Sequence, residues 1–285
     1  MIKQAVILAG GLGTRMLSED KGSLGSEEKD LLGKGLKGLI KSDDGRPIFD
    51  SSIQFLVNAG IKKLIFVVNK QGKEVLEKYY GKKIAISVDV EYAIQEKPLG
   101  TANAVLAAEK KAGGEPFVVL FYDNVYPEDD IKILVSSDAE WGAIGFDRDA
   151  LENPEISNLK KEKVRQCAVM QVDEDYYLKR IVEAAGDEQD NYRSHDGKIL
   201  ISMSLFSFDK DIFEACKKIE PRERRPGIKE YELPDAVQYG IDNMGKRLKV
   251  FYQYSGIIDL TSIEDIESAR KLTKNREIRF KNKKI

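Results

Sequence analysis

Short apolar runs alternate with amphipathic stretches through the first half of the chain. Runs at Ala5–Leu8, Leu64–Val68, Ile84–Tyr92 and Phe117–Phe121 predict strands, and Ser51–Asn58, Gly72–Tyr79 and Thr101–Lys111 carry the apolar spacing of helices. This βαβ rhythm predicts a mainly parallel sheet with helices on both faces. In such sheets ligands collect beyond the carboxyl ends of the strands, so the loop after Leu8, the Gln95–Thr101 loop and the Phe121–Asn124 strand end fall on one rim. The second half is less regular. Strand-like runs at Ala143–Phe146, Cys167–Val172, Tyr177–Val182 and Ile199–Phe208 predict antiparallel additions, followed by helices near Asp209–Lys218, Leu233–Ile241 and Ile263–Leu272. Asp209 is placed to cap the first of these, and Thr261 or Ser262 with Glu264 or Asp265 matches a capping box for the last. No Pro/Gly/Ser linker separates domains, so residues 1–285 are expected to form one α/β domain on a continuous mixed sheet, with a substrate lobe.

Composition narrows the class of partner. Lys and Arg total 46 against 48 Asp and Glu, a net charge of −2, which gives no electrostatic ground for expecting nucleic acid or anionic membrane. Cys167 and Cys216 form neither a C-x-x-C pair nor a metal cluster and read as free thiols of a reducing compartment. The apolar segment before Gly10 is too short for a signal-peptide core, and no stretch approaches the length of a membrane span. A soluble cytoplasmic protein is expected.

The first candidate chemistry is Leu8-Ala9-Gly10-Gly11-Leu12-Gly13-Thr14-Arg15, directly after a buried strand. Small residues expose backbone N–H groups to an anion, and a guanidinium follows to grip it, so this reads as a phosphate-binding loop. It is not a dinucleotide fingerprint, because Met16 holds the third glycine position, nor a Walker A loop, because no Gly-Lys-Ser/Thr follows. A glycine turn used for geometry alone is the plainer alternative. Asp123, at the end of a buried strand, and Asp259, between an apolar run and a helix, are the acidic positions of interest. A hard cation such as Mg²⁺ takes one or two carboxylates plus water and phosphate oxygens. Either residue alone also reads as a turn or helix cap.

Taken in order, L-A-G-G-x-G-T-R, Leu36-Lys37-Gly38-Leu39-Ile40 with Gly45-Arg46-Pro47-Ile48, Asn58-Ala59-Gly60-Ile61, Leu99-Gly100-Thr101-Ala102, Asp123-Asn124 and Asp259 resemble the sugar-1-phosphate nucleotidylyltransferases over nearly the whole chain. Val172-Asp173-Glu174-Asp175, Ile181-Val182-Glu183 and Ile201–Phe206 extend the likeness toward the glucose-1-phosphate uridylyl and thymidylyl transferases. The resemblance implies the Rossmann-like nucleotide-diphospho-sugar transferase fold, with a nucleotide-binding half at about 1–130 and a sugar-binding half at about 131–285. It implies UTP or dTTP and a sugar 1-phosphate, most simply glucose 1-phosphate, as substrates, Mg²⁺ as cofactor, and room for a homo-oligomer.

Residue by residue, the resemblance gives Arg15 and Lys37 the phosphate contacts of catalysis and Asp123 with Asp259 the metal. Nucleotide binding falls to Leu8, Ala9, Gly10, Gly11, Gly13, Thr14, Gln95, Gly100 and Thr101. A glutamine amide offers one acceptor and two donors, which suits uracil or thymine but also other bases. Gln95 as an exposed loop residue and Thr101 as a cap for the next helix are the bland alternatives. Glu183 and Ser204 are the sugar-side candidates.

Departures from the family pattern are specific. Many members carry Glu-Lys-Pro where this chain has Glu183-Ala184-Ala185, and Lys161, Lys163 and Arg165 are the candidates to replace the lost charge. Tyr122 stands where a glycine is usual before the metal aspartate, Leu36 where a proline precedes the active-site lysine, and Ser204 where an asparagine is frequent. Glu19–Gly35 reads as a mobile flap or a solvent loop. His195, the single histidine, reads as an exposed loop residue, and Arg222–Arg225 as a basic loop. Cytidylyl or guanylyl transfer to another phosphorylated acceptor, and a nucleotide-sugar-binding regulator without turnover, are the alternative functions.

Overall fold

The computed structural model describes residues 1–11, 25–83, 88–183, 186–225 and 227–273. In chain order they form β1 (Gln4–Leu8), α1 (Ser26–Gly33), α2 (Asp50–Asn58), β2 (Lys63–Val68), α3 (Lys70–Lys83), β3 (Asp89–Ile94), α4 (Thr101–Ala107), α5 (Glu109–Ala112), β4 (Phe117–Phe121) and β5 (Asn124–Val125). There follow α6 (Glu128–Ser136), β6 (Trp141–Asp147), α7 (Arg148–Leu151), α8 (Lys161–Val164), β7 (Val169–Val172), β8 (Leu178–Val182) and β9 (Leu200–Phe208). The described residues close with α9 (Asp211–Lys218), β10 (Arg222–Arg225), β11 (Ile228–Glu230), α10 (Leu233–Met244), β12 (Leu248–Gln253), β13 (Ile258–Asp259) and α11 (Ile263–Thr273).

The main sheet runs β12-β6-β9-β4-β1-β2-β3, with the β7–β8 hairpin attached through β9. β1 pairs parallel with β2 and β4, and β2 with β3, whereas β9 runs antiparallel to both β4 and β6. Both halves of the chain therefore share one mixed, mostly parallel sheet, as the βαβ pattern predicts. Alternation divides the core: Ala5 and Ile7 of β1 join the layer under α2, α3 and α6, while Val6 and Leu8 join the layer under α4, α9 and α10. Such two-sided burial explains why β1 reads as an unbroken apolar run. On the second face α10 lies close to β6, since a Cβ on Gly240 would fall 2.3 Å from the Trp141 ring. A third cluster, including Leu32, Val125, Ile258 and Ile266, ties α1 and α11 to the small antiparallel β5–β13 pair.

Several boundaries differ from the pattern. The strand expected over Ile84–Tyr92 begins at Asp89 and continues to Ile94, its first part falling outside the described residues. This is an edge strand whose charged Asp89 and Glu91 dilute the apolar signal. The helix expected over Thr101–Lys111 breaks after Ala107, and that expected over Gly72–Tyr79 extends to Lys70–Lys83. Ser26–Gly33, within the stretch read as a flap or loop, is a helix with Leu31 and Leu32 buried. Asp209 does stand before a helix, its Oδ1 accepting from Asp211 N at 2.9 Å. At α11 Asp265 Oδ2 accepts from Thr261 N and Ser262 N at 3.0 and 2.6 Å. Among the described residues no helix is long and apolar enough to cross a membrane.

One buried acid makes stability depend on pH. Asp130 on α6 is 2% exposed and its carboxyl is pushed up to about 6, mainly by burial, although Ser255 Oγ donates to it at 2.7 Å. The folded state holds this proton to higher pH than the unfolded chain, whose carboxyl titrates near 3.8. The contribution is therefore complete below about pH 4 and is lost as pH rises through about 6, a swing of about 3 kcal/mol at most. Asp130→Asn should gain stability relative to the parent by up to that amount between pH 4 and 7, measured by urea unfolding at both pH values. A difference that does not change with pH would remove Asp130 as the source.

Candidate active site

The carboxyl ends of β1, β3 and β4 open on a cleft of about 280 Å³. Leu8, Ala9, Gly10 and Gly11 from the loop after β1 line it, together with Lys37, Gln95, Gly100, Thr101 and Asp123. The chain leaves β1 tightly bound: Ala9 N donates to Val67 O at 2.8 Å, and Tyr122 N to Leu8 O at 3.1 Å. Gly13, Thr14 and Arg15 lie outside the described residues.

The Gln95–Thr101 loop is held in place from several directions. Gln95 N donates to Val68 O at 2.8 Å, which fixes the residue just beyond β3. Its side chain is 8% exposed, and its Nε2 donates to Gly100 O at 3.2 Å and to Asn103 Oδ1 at 2.9 Å. Gln95 is thus not the exposed loop residue of the bland reading. Its Oε1 lies 2.7 Å from where a Cβ on Gly10 would stand, so this close approach needs glycine at that position. Gly100 adopts φ +105, and a Cβ there would fall 2.4 Å from Tyr231 O. Tyr231 clamps the loop by main chain, its N–H donating to Leu99 O at 2.8 Å and its O accepting from Ala102 N at 2.9 Å. Thr101 Oγ1 donates to Glu232 Oε2 at 2.9 Å and accepts from Leu233 N at 2.8 Å. It opens α4 but caps the first turn of α10, so its hydroxyl is already engaged by protein.

At the end of β4 two acids and two lysines meet. β5 pairs with β13 so that Asn124 lies opposite Asp259, and Leu260 N donates to Asp123 O at 2.9 Å. This short pairing brings Asp123 and Asp259 together from distant parts of the chain. Lys37, on a single 3₁₀ turn at Lys37–Leu39, is 8% exposed and places Nζ 3.7 Å from Asp123 Oδ2. Lys163 of α8 bonds both Asp259 Oδ2 and Thr261 Oγ1. Asp259 is further fixed by Asn158, whose amide accepts from Asp259 N and donates to Asp259 O, each at 2.8 Å. Burial pushes the Asp123 carboxyl up, Lys37 and Lys163 pull it down, and the Asp259 charge pushes it up again.

This arrangement suits a hard divalent ion. Two neighbouring carboxylates repel and would be relieved by a cation between them, and two is within the one or two that Mg²⁺ uses when phosphate and water complete its shell. No group of three or more metal-binding side chains occurs among the described residues.

The remaining candidates fall elsewhere. Glu183 follows β8 and is half-buried; neither it nor Ser204 lines the cleft around Gln95. Ser204 sits within β9 at φ +58, a left-handed conformation rare for a non-glycine residue in a strand. The preceding Met203 O accepts from Tyr126 Oη at 2.7 Å, and Tyr126 Oη lies 3.1 Å from the Asn124 amide, which links this irregular strand to the acidic pair. Ala184 and Ala185 lie outside the described residues. The three cations named as replacements for the lost charge separate: Lys161 and Arg165 pair with Glu152 at 3.8 and 3.4 Å, and of the three only Lys163 reaches Asp259.

Tyr122, the unusual residue before Asp123, turns into the core, its ring tilted at 53° to that of Phe49 with the centroids 4.5 Å apart. Gly38 makes room for it, since a Cβ there would fall 2.8 Å from the Tyr122 ring. His195 is exposed, edge-on to Tyr176 at 5.5 Å, and Arg222–Arg225 is strand β10 rather than a loop. Sequence reasoning missed Asn103, whose α4 position carries no motif. Tyr231 and Glu232, in the segment leading into α10, support the loop that carries Gln95.

The nucleotidyl transferase family profile matches residues 4–275. Among curated proteins, the low-salt glycan biosynthesis nucleotidyltransferase Agl11 of Haloferax volcanii is 23% identical over 246 residues, covering 84% of this chain and 59% of that protein's length. The UTP–glucose-1-phosphate uridylyltransferase AglF of the same organism is 26% identical over 236 residues, 82% of each chain. Among solved structures, UDP-glucose pyrophosphorylase complexed with UDP-glucose superposes with a TM-score of 0.70 at 21% identity, over 97% of this chain and 100% of that one.

Proposed function

Because the chain belongs to the nucleotidyl transferase family, we propose that it joins UTP or dTTP to a sugar 1-phosphate, most simply glucose 1-phosphate, releasing pyrophosphate. The observation that carries this reading is that one cleft is lined by Gln95, which we assign to the base, and by Lys37 and Asp123, which we assign to the phosphates, with Asp259 brought beside Asp123 by the β5–β13 pair. The relative named for UTP and glucose 1-phosphate, matched over 82% of both chains, supports the same substrates. In the cleft the outward Oε1 of Gln95 accepts the N3–H of uracil or thymine, which argues against cytosine, whose N3 carries a lone pair.

In the reaction a phosphate oxygen of the sugar attacks the α-phosphorus in line, one P–O bond forms, the bond to the β-phosphate breaks, and pyrophosphate leaves. No protein nucleophile takes part. Bound Mg²⁺, held by Asp123 and Asp259, would neutralise and orient the phosphate oxygens. The chain's own task is positioning and charge. Gln95 and the loop after β1 fix the nucleotide, Lys37 faces the phosphates beside Asp123, and Arg15 would hold the leaving β and γ phosphates. Aligning two bound reactants supplies up to about 7–11 kcal/mol of the barrier, and preorganised cations add stabilisation of the charged transition state. Glu183 and Ser204 are assigned to the sugar.

The test is a panel of UTP, dTTP, CTP, GTP and ATP against several sugar 1-phosphates with Mg²⁺, followed by pyrophosphate release. Turnover should be highest with UTP or dTTP. Guanylyl transfer is the second reading, because guanine also presents a ring N–H to Oε1, and turnover with GTP alone would establish it. Binding without pyrophosphate would replace the enzymatic reading with that of a nucleotide-sugar-binding regulator.

A further inference from the structure

We propose that Asn103 is a positioning residue that sets base selection, by fixing which end of the Gln95 amide faces the nucleotide. The inference rests on the reading of the cleft as a nucleotide site and goes beyond it, since Asn103 carries no family motif and is not among the residues lining the cleft.

A carboxamide is nearly symmetric in shape, and its two ends differ only in hydrogen bonding: one end donates twice, the other accepts. Flipped by half a turn, Gln95 would offer the cleft an NH₂ group and select the opposite kind of base edge. What decides the flip is the set of groups behind it. Gly100 O is a carbonyl and can only accept, so the nitrogen of Gln95 belongs on its side, at 3.2 Å. That contact alone is long. The shorter bond, at 2.9 Å, goes to Asn103 Oδ1, two residues into α4. With both N–H groups engaged, Oε1 is the end left beside Gly10, and no hydrogen bond to it occurs among the described residues.

An acceptor so fixed favours bases with a ring N–H at the facing edge, which are uracil, thymine and guanine. It opposes cytosine and adenine, which bring a lone pair against it. Without the Asn103 bond the amide has a single long anchor, and reversal costs one weak hydrogen bond while it gains a bond to the wrong base.

The experiment compares the parent with Asn103→Ala and Asn103→Asp. A carboxylate at 103 can only accept, so it keeps the Gln95 amide in its parental sense, whereas alanine releases it. Dissociation constants of UTP and CTP are measured by calorimetry without acceptor, alongside kcat/KM for both. The parent should favour UTP, Asn103→Ala should narrow the UTP:CTP ratio tenfold or more, and Asn103→Asp should restore it. All three proteins should share one melting profile. A ratio unmoved by Asn103→Ala, a ratio that Asn103→Asp fails to restore, or a parent that binds CTP as well as UTP would overturn the proposal. Absence of turnover in all three proteins with the binding ratios as expected would count against the transferase reading alone, because the binding measurement needs no chemistry. No binding of either nucleotide would remove both.

Discussion

Asp123→Asn should lower kcat by at least about 10³-fold while the protein folds as before, a loss of about 4 kcal/mol of transition-state stabilisation. The substitution keeps size and shape and deletes one negative charge. Asp123 is held up by burial and by the neighbouring Asp259, so removing its charge relieves repulsion inside the site. Thermal stability should therefore stay level or rise, although the ion pair with Lys37 at 3.7 Å is lost. What disappears is half of the carboxylate pair assigned to the metal. Mn²⁺, a spectroscopic substitute for Mg²⁺, should bind the parent and be much weakened in the variant when followed by its paramagnetic resonance signal. Asp259→Asn should abolish turnover as well, yet it should cost stability, because Asp259 is the anchor of Lys163. Activity within tenfold of the parent in Asp123→Asn, or undiminished Mn²⁺ binding, would withdraw the metal role.

That pair marks how far sequence alone reaches into the site. Both acids were visible as carboxylates ending apolar runs, because a buried strand that stops at an Asp is a strong local pattern. Their adjacency was not visible. It depends on a two-residue antiparallel pairing between β5 and β13, too short to leave any periodicity.

The same contrast holds across the fold. β1, β2 and β4 were legible because burial on both faces makes them continuous apolar runs. β12 was missed because LKVFYQ mixes charged and apolar residues at the far edge of the sheet, and β10 because R-E-R-R reads as a basic loop. The Gln95–Thr101 loop shows a third kind of gap. Gln95 and Gly100 could be picked from their motif, but the Asn103 and Tyr231 contacts that hold them come from a helix and a distant loop.

Lys163→Met should lower kcat/KM for the sugar 1-phosphate by about 10²-fold while tightening Mn²⁺ binding. The reasoning starts from charge. In the structure two carboxylates are matched by two ammonium groups, Lys37 on Asp123 and Lys163 on Asp259, so the cluster is neutral without any ligand. A divalent cation entering between the acids competes with both lysines, and the ammonium groups it displaces then lie beside incoming phosphates. Deleting Lys163 removes the competitor, which favours the metal, and also removes a cation proposed to substitute for the family's lysine, whose place in the sequence is taken by Ala184.

Stability should fall as well. The Asp259 side chain is only 8% exposed, and a mostly buried carboxylate left unpaired costs up to about 3–5 kcal/mol when fully enclosed; saturating Mg²⁺ should recover part of the loss. Lys161→Met and Arg165→Met serve as controls, since both pair with Glu152 and neither reaches Asp259, and each should stay within about threefold of the parent in kcat/KM. If Lys163→Met binds Mn²⁺ more tightly but keeps parental kcat/KM for the sugar phosphate, Lys163 is a counter-ion for Asp259 and the replacement of the lost lysine must be sought elsewhere.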